Sequence, residues 1–296
     1  MGLLHAIVLG IVQGVTEFLP ISSTAHLRIV PELLGWPDAG AAYTAMIQLG
    51  TVAAVIVYFW RDLVRLTEAW VRGVLRGAPF ATVEARLAWF VLVGTLPVAI
   101  LGLLFKQHIE TSLRSLYVIA SAMVGLALVL LLAERIAQHK RTLNEMGWTD
   151  AIVIGLCQAL ALIPGSSRSG TTLTGGLALG FRREDAARYS FLLSIPATAA
   201  AGLYEMRHLV RSGEPFTGPD VLVGTVVAFV TGILAIAWLL RFLRTRSTAV
   251  FIVYRFLLGG LLFALLATGR LSPQPAHATP PQAARGVPAG AVRAGE

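Results

Sequence analysis

Residues 10 to 26, GIVQGVTEFLPISSTAH, set Gln13, Glu17, Ser22, Ser23, Thr24 and His26 inside an otherwise apolar segment. Nothing else in the chain narrows the fold as much, because unpaired polar groups are costly in hydrocarbon and ionisable ones persist there mainly for function. The setting is lipid. Of 296 residues, 56% are hydrophobic and 14% charged, and the mean hydropathy is +0.72, which describes an integral membrane protein rather than a soluble domain. The net charge of +8 does not point to nucleic acid, since the arginines lie between apolar blocks and form no stripe interleaved with exposed aromatics. The single cysteine, Cys157, lies in an apolar run and is read as packing.

A helix crosses about 30 Å of hydrocarbon with roughly 20 apolar residues. Six segments meet that length, at about 41–60, 86–105, 116–134, 186–205, 219–240 and 249–268. Two more, 3–35 and 150–180, are each broken by a proline followed by a serine pair: Pro20-Ile21-Ser22-Ser23 and Pro164-Gly165-Ser166-Ser167. Proline ends the first helix and a serine can cap the second, so each segment is expected to be a re-entrant hairpin of two half-helices. Irregular backbone at that depth must be buried in protein or line a wet cavity. The N-terminus lacks a basic signal-peptide region, so the first helix is expected to stay. From about Ser272 the chain is rich in Pro, Ala and Gly and reads as a disordered tail.

The halves echo each other. Gly10-Ile-Val-Gln13 matches Gly155-Leu-Cys-Gln158, and Val91-Leu-Val-Gly-Thr95 recurs as Val221-Leu-Val-Gly-Thr225. The expected fold is an all-α integral membrane protein with an inverted repeat, each half a re-entrant hairpin plus three transmembrane helices, over 1–145 and 146–270, with 271–296 as the tail. Ligand sites in such folds lie between the broken helices. Arg61, Arg65, Arg72, Arg76, Arg86, Arg135, Lys140, Arg141, Arg182, Arg183, Arg188, Arg241, Arg244 and Arg246 fall on one side of this plan. Arg28, Lys106, Arg114, Arg207, Arg211 and Arg270 fall on the other, and the richer side is assigned to the cytoplasm.

Gln13 and Glu17, four residues apart, share a helix face and offer oxygens suited to Mg²⁺ or Ca²⁺ held jointly with substrate phosphates. Ser22 and Ser23 stand at a half-helix N-terminus, where free N–H groups favour an anion. His26 is a candidate base, acid or nucleophile. Ser166, Ser167, Arg168, Ser169 and Gly170 form a hydroxyl-rich turn whose guanidinium needs an anion, and its fork matches phosphate oxygens. Together these residues make a phosphoryl-transfer site. Simpler readings stand beside this one: Gln13 and Glu17 as a hydrogen-bond pair, either serine as a cap, His26 as a packed histidine, Arg168 as the partner of Glu17. Arg255, in Tyr254-Arg255-Phe256, reads either as a further buried cation or, as is commoner for such an arginine, as a residue that snorkels to the interface. Gln48 and Ser194 either face the site or bond between helices.

QGVTEFLPISSTAH at 13–26 and PGSSRSG at 164–170, with the spans around them, resemble the undecaprenyl-diphosphate phosphatases associated with bacitracin resistance. The resemblance covers about residues 1–270. It implies a multi-pass protein of the bacterial cytoplasmic (inner) membrane that hydrolyses a C55 polyprenyl diphosphate to the monophosphate, recycling the carrier for peptidoglycan synthesis. It also implies a divalent cation and a site open to the outer side. Carried across, the motifs put the acidic pair on Gln13 and Glu17, the serines on Ser22 and Ser23, the histidine on His26 and the essential arginine on Arg168. Some members have Glu where this chain has Gln13. Catalysis is thus expected from Glu17, Ser23, His26 and Arg168, substrate binding from Ser22, Thr24, Ser166, Ser167, Ser169, Gly170 and Gln48, and metal binding from Glu17 and Gln13. The expected partners are the polyprenyl diphosphate and membrane lipids, with no nucleic acid; a homodimer is allowed. In one route Ser23 attacks phosphorus and His26 takes its proton; water activated by Glu17 or His26 is the other. The competing class is a transporter or flippase of a polyprenyl phosphate lipid, since paired broken helices are also a transporter plan.

Overall fold

The computed structural model describes residues 2–273 apart from 38, 106, 109–112, 114 and 213–217. The tail beyond 273, with Lys106 and Arg114, lies outside the described residues. The helices run α1 (Leu3–Phe18), α2 (Ser23–Leu34), α3 (Gly40–Tyr58), α4 (Trp60–Leu75), α5 (Val83–Leu104), α6 (Leu116–Ile136), α7 (Trp148–Ala159), α8 (Arg168–Ala178), α9 (Arg183–Ser212), α10 (Pro219–Thr245) and α11 (Ala249–Ala267). The only bridge pairing among the described residues joins Arg141 and Phe181.

Both proline breaks form as the local chemistry requires. A proline ring clashes with an α-helical residue before it, and both preceding residues are extended: Leu19 at φ −70°, ψ 144° and Ile163 at φ −80°, ψ 117°. Each second half-helix then starts after a serine with left-handed φ, Ser22 (φ 74°, ψ 97°) and Ser167 (φ 68°, ψ 107°). Only His139 shares this among the described non-glycine residues. The serine pairs therefore do not match pair to pair. Ser22 corresponds to Ser167, and Gly165, at φ 92°, is the extra residue that lengthens the second break.

Contacts in one half have counterparts in the other. Helix α1 packs on α10 and α7 on α5, while α10 also meets α3 and α5 meets α9. The approaches are backbone to backbone: a Cβ at Gly10 would lie 2.6 Å from Gly224 O, and one at Gly155 2.5 Å from Gly94 O. These glycines belong to the repeated GIVQ/GLCQ and VLVGT strings, whose lack of side chains lets the helices close. The pattern is compatible with the repeat.

Among the described residues four helices, α5, α6, α10 and α11, are long and apolar enough to cross a membrane. The segment expected at 41–60 is α3, and it turns by 70° into α4 at Phe59, the pair counting together as a fifth. The segment expected at 186–205 lies in α9 but does not pass on apolarity. Its first turn carries Glu184 and Asp185, and it packs against α3, α5, α8 and α10, burying Tyr189, Ser190, Phe191, Leu193 and Ser194. Outward faces are apolar, as at Leu96, Leu103, Leu132, Leu222, Leu234 and Leu257. Part of the expected cytoplasmic charge is tied up structurally. Arg141 grips Asp150 at 2.9 and 2.6 Å, Arg188 reaches Asp62 at 2.7 Å, and Arg183 pairs with Glu134.

Candidate functional site

Glu17 is the hub where the two breaks meet. It sits in the last turn of α1, one helical turn beyond Gln13, whose Nε2 donates to its Oε2 at 3.2 Å. Ser23, the first residue of α2, donates its hydroxyl to the same oxygen at 2.8 Å. Arg168, the first residue of α8, donates Nη2 to Oε1 at 3.1 Å. Ser23 and Arg168 thus hold corresponding places, each next after the left-handed serine and each on one oxygen of the same carboxylate. The pair is nearly buried, the Arg168 and Glu17 side chains being 12% and 10% exposed.

The ion pair leaves most of the guanidinium unused. Arg168 Nε and Nη1 are buried and have no hydrogen-bond partner among the described residues, and the same holds for Gln13 Oε1, Ser166 Oγ and both amide atoms of Gln158. Buried polar atoms are nearly always paired, so free N–H groups beside two half-helix N-termini are suited to an anion that brings its own oxygens. The second break is braced for this. Ser167 Oγ accepts from Gly170 N at 3.3 Å as an N-cap and lies 3.2 Å from Ser169 Oγ, which donates to Leu19 O across the breaks at 2.9 Å. Ser22 holds the cap position of α2 without a side-chain bond, so of the two serines only Ser167 caps.

His26 stands apart from this cluster. Its Nδ1 is 2.7 Å from Ser22 O and its Nε2 2.6 Å from the Tyr254 hydroxyl, with the two rings stacked at 5.6 Å. A carbonyl only accepts, so Nδ1 carries the hydrogen and Nε2 is the basic nitrogen, accepting from Tyr254. No hydrogen bond joins His26 to Ser23 among the described residues; the expected Ser23–His26 pair is replaced by Ser23–Glu17. Thr24 is exposed. Gln48 is half-buried with no side-chain bond to the cluster, and Ser194 bonds Phe191 O in its own helix at 2.6 Å, so among the described residues neither bonds between helices through its side chain.

Tyr254 is a residue that the sequence does not single out, and of the two readings of Arg255 the structure shows the buried cation. Arg255 does not snorkel: it is 0% exposed, held by backbone carbonyls of α6 and of both breaks. Gly170 faces it, and a Cβ there would lie 2.8 Å from its Nη1. The dipeptide Tyr254-Arg255 inside an apolar helix was the available signal; its depth depends on packing that one helix's pattern does not carry.

A divalent cation finds a partial set of ligands. No three His, Cys, Asp or Glu side chains come together among the described residues, which leaves Glu17 and the unpartnered Gln13 Oε1 as the oxygens on offer. That fits a hard cation held largely by phosphate oxygens, and not one caged by protein alone. Beside the second break, a lateral groove of about 560 Å³ is lined by Tyr117, Ser121, Leu126, Leu160, Ile163 and Ser166, among others.

The model of the family described as bacitracin resistance protein BacA matches residues 6–261. An undecaprenyl-diphosphatase of Myxococcus xanthus is 66% identical over 273 residues, 92% of each chain. Undecaprenyl-diphosphatases of Chlorobium phaeovibrioides and Chlorobaculum tepidum are each 52% identical, over 92% of this chain and 100% of theirs.

Proposed function

The chain belongs to the bacitracin resistance protein BacA family, and from that membership we infer that it is an undecaprenyl-diphosphatase, a membrane hydrolase that converts undecaprenyl diphosphate to undecaprenyl phosphate and inorganic phosphate. The observation that carries this to the site is the half-used guanidinium of Arg168, with Nε and Nη1 buried and unpartnered beside Glu17 and Ser23. The family match favours the hydrolase over a transporter or flippase.

In this reading Arg168 and the N-termini of α2 and α8 hold the diphosphate. Ser23 Oγ bonds to the terminal phosphorus, the bond from that phosphorus to the bridging oxygen breaks, and undecaprenyl phosphate leaves. The Ser23 proton passes to Glu17 Oε2, the acceptor it already faces at 2.8 Å. Water then bonds to the phosphorus as the bond to Ser23 Oγ breaks; its proton passes to the Tyr254 hydroxyl, which gives its own to His26 Nε2, Glu17 returns its proton to Ser23 Oγ, and phosphate leaves. Gln13 Oε1 and Glu17 would hold a Mg²⁺ or Ca²⁺ ion that arrives with the diphosphate; when bound it neutralises phosphate charge. The apolar groove ending at Ser166 takes part of the prenyl chain. Purified protein is expected to release phosphate from undecaprenyl diphosphate, to slow with chelator and to yield a phosphoenzyme trapped at Ser23. Full activity in Ser23→Ala rules out the serine route and leaves water as the nucleophile.

The second hairpin and segment 61–86, which holds α4 and the turn before α5, are assigned to the cytoplasmic side of the inner membrane, with the halves 1–145 and 146–270 inverted. The site then opens outward, and a homodimer is compatible with the plan. Cysteines placed in segment 61–86 should be shielded from an impermeant thiol reagent in intact cells, and cysteines in segment 106–115 labelled. The reverse pattern overturns the orientation.

A further inference from the structure

Arg255 is a cation whose balancing charge is not among the described protein groups. Arg141, Arg168, Arg183 and Arg188 each face a carboxylate. Arg255, more buried than any of them at 0% exposed, has none among the described residues. Its donors go to neutral carbonyls: Nε to Met123 O at 3.1 Å, Nη2 to Ala122 O at 3.3 Å and Gly165 O at 3.4 Å, and Nη1 to Pro20 O at 3.5 Å. Three of these exceed the usual 2.7–3.2 Å range for such bonds. Removing a charge from water costs several kcal/mol unless it is paired with good geometry, and long bonds to carbonyl dipoles offset only part of that.

Its position relative to the breaks is specific. Pro20 and Gly165 each lie two residues before the left-handed serine, Ser22 or Ser167, so one guanidinium touches a carbonyl of each break. The absence of a side chain at Gly170 brings Nη1 against the first turn of α8, the turn that Arg168 opens. Arg255 therefore sits behind the place where Arg168 and the two half-helix N-termini converge, adding positive charge on the protein side of that anion pocket.

We propose that Arg255 is a second cation of the anion site, recessed behind both breaks, whose charge is balanced by the bound diphosphate. The inference rests on the diphosphatase reading above. It explains why an intramembrane arginine persists without a carboxylate partner, and it makes the positive charge of the site larger than Arg168 alone provides.

The test uses the full chain purified in detergent, with undecaprenyl diphosphate as substrate and inorganic pyrophosphate as thermal-shift probe. The wild type should release phosphate, and pyrophosphate should raise its unfolding midpoint. Arg255→Gln removes the charge at similar reach. It should lose most of the pyrophosphate-induced increment, whatever its own midpoint, and its KM should rise at least about tenfold. Arg255→Lys keeps the charge and should retain at least half of the increment. A residue that only clamps carbonyls would lower the midpoint yet leave the increment intact, so a wild-type increment and KM in folded R255Q overturn the inference. An R255K as unresponsive as R255Q overturns it too. If R255Q does not fold, Gly170→Ala decides: its Cβ displaces the guanidinium, and an unchanged increment there overturns the proposal. Absence of phosphate release by the wild type instead overturns the diphosphatase reading beneath it.

Discussion

Arg168→Ala gives a folded protein whose phosphate release is at least about 10³-fold below wild type. Loss of a single preorganised donor to a developing oxyanion costs about 10²–10³ in rate, and an arginine on a transferring phosphoryl group is worth about 10³–10⁵. The fold survives because Glu17 keeps two of its three partners, Gln13 Nε2 and Ser23 Oγ. Arg168→Lys separates charge from shape. It restores a cation but not the planar fork, so its rate should lie well above Arg168→Ala and well below wild type. Phosphate release by detergent-purified variants with matched unfolding midpoints reads both effects, and a wild-type rate in Arg168→Ala would sink the site assignment.

Glu17→Ala is expected to be as damaging to turnover and far more damaging to stability. The carboxylate is the only described group that touches both breaks' catalytic candidates, Ser23 on one oxygen and Arg168 on the other. Its removal leaves a nearly buried guanidinium unpaired, a change that costs about 3–5 kcal/mol where ion pairs are buried. It also removes the acceptor of the Ser23 hydroxyl, which is the base of the proposed route. Glu17→Gln should recover much of the midpoint, since the amide oxygen still accepts from one neighbour, and recover little turnover, since the charge and the base are gone. Comparable activity in Glu17→Gln and wild type would show that the carboxylate holds the breaks together and takes no proton.

Much of this site was legible because proline and arginine leave few options in an apolar segment. Pro20 and Pro164 had to end helices, and Arg168 had to find an anion. The expected anions were a phosphate and Glu17, and the guanidinium serves Glu17 while keeping N–H groups free. Other features depend on geometry that a pattern does not carry. One residue, Gly165, shifts the match between the serine pairs, so which serine caps could not be read. The partner of His26 is Tyr254, 228 positions away in sequence. The 70° turn at Phe59 has neither proline nor glycine at the bend, and the segment at 186–205 reads as an ordinary span although other helices enclose much of it.

The left-handed backbone at Ser22 and Ser167 has a consequence for rate. Residues other than glycine hold such φ values at a cost of about 1–3 kcal/mol each, sustained by the surrounding fold. Helix packing thus sets the N–H groups of both tips in place before any anion arrives. Little reorientation of protein dipoles is then required as charge shifts from the nucleophile to the leaving phosphate, so the reorganisation energy has already been met during folding.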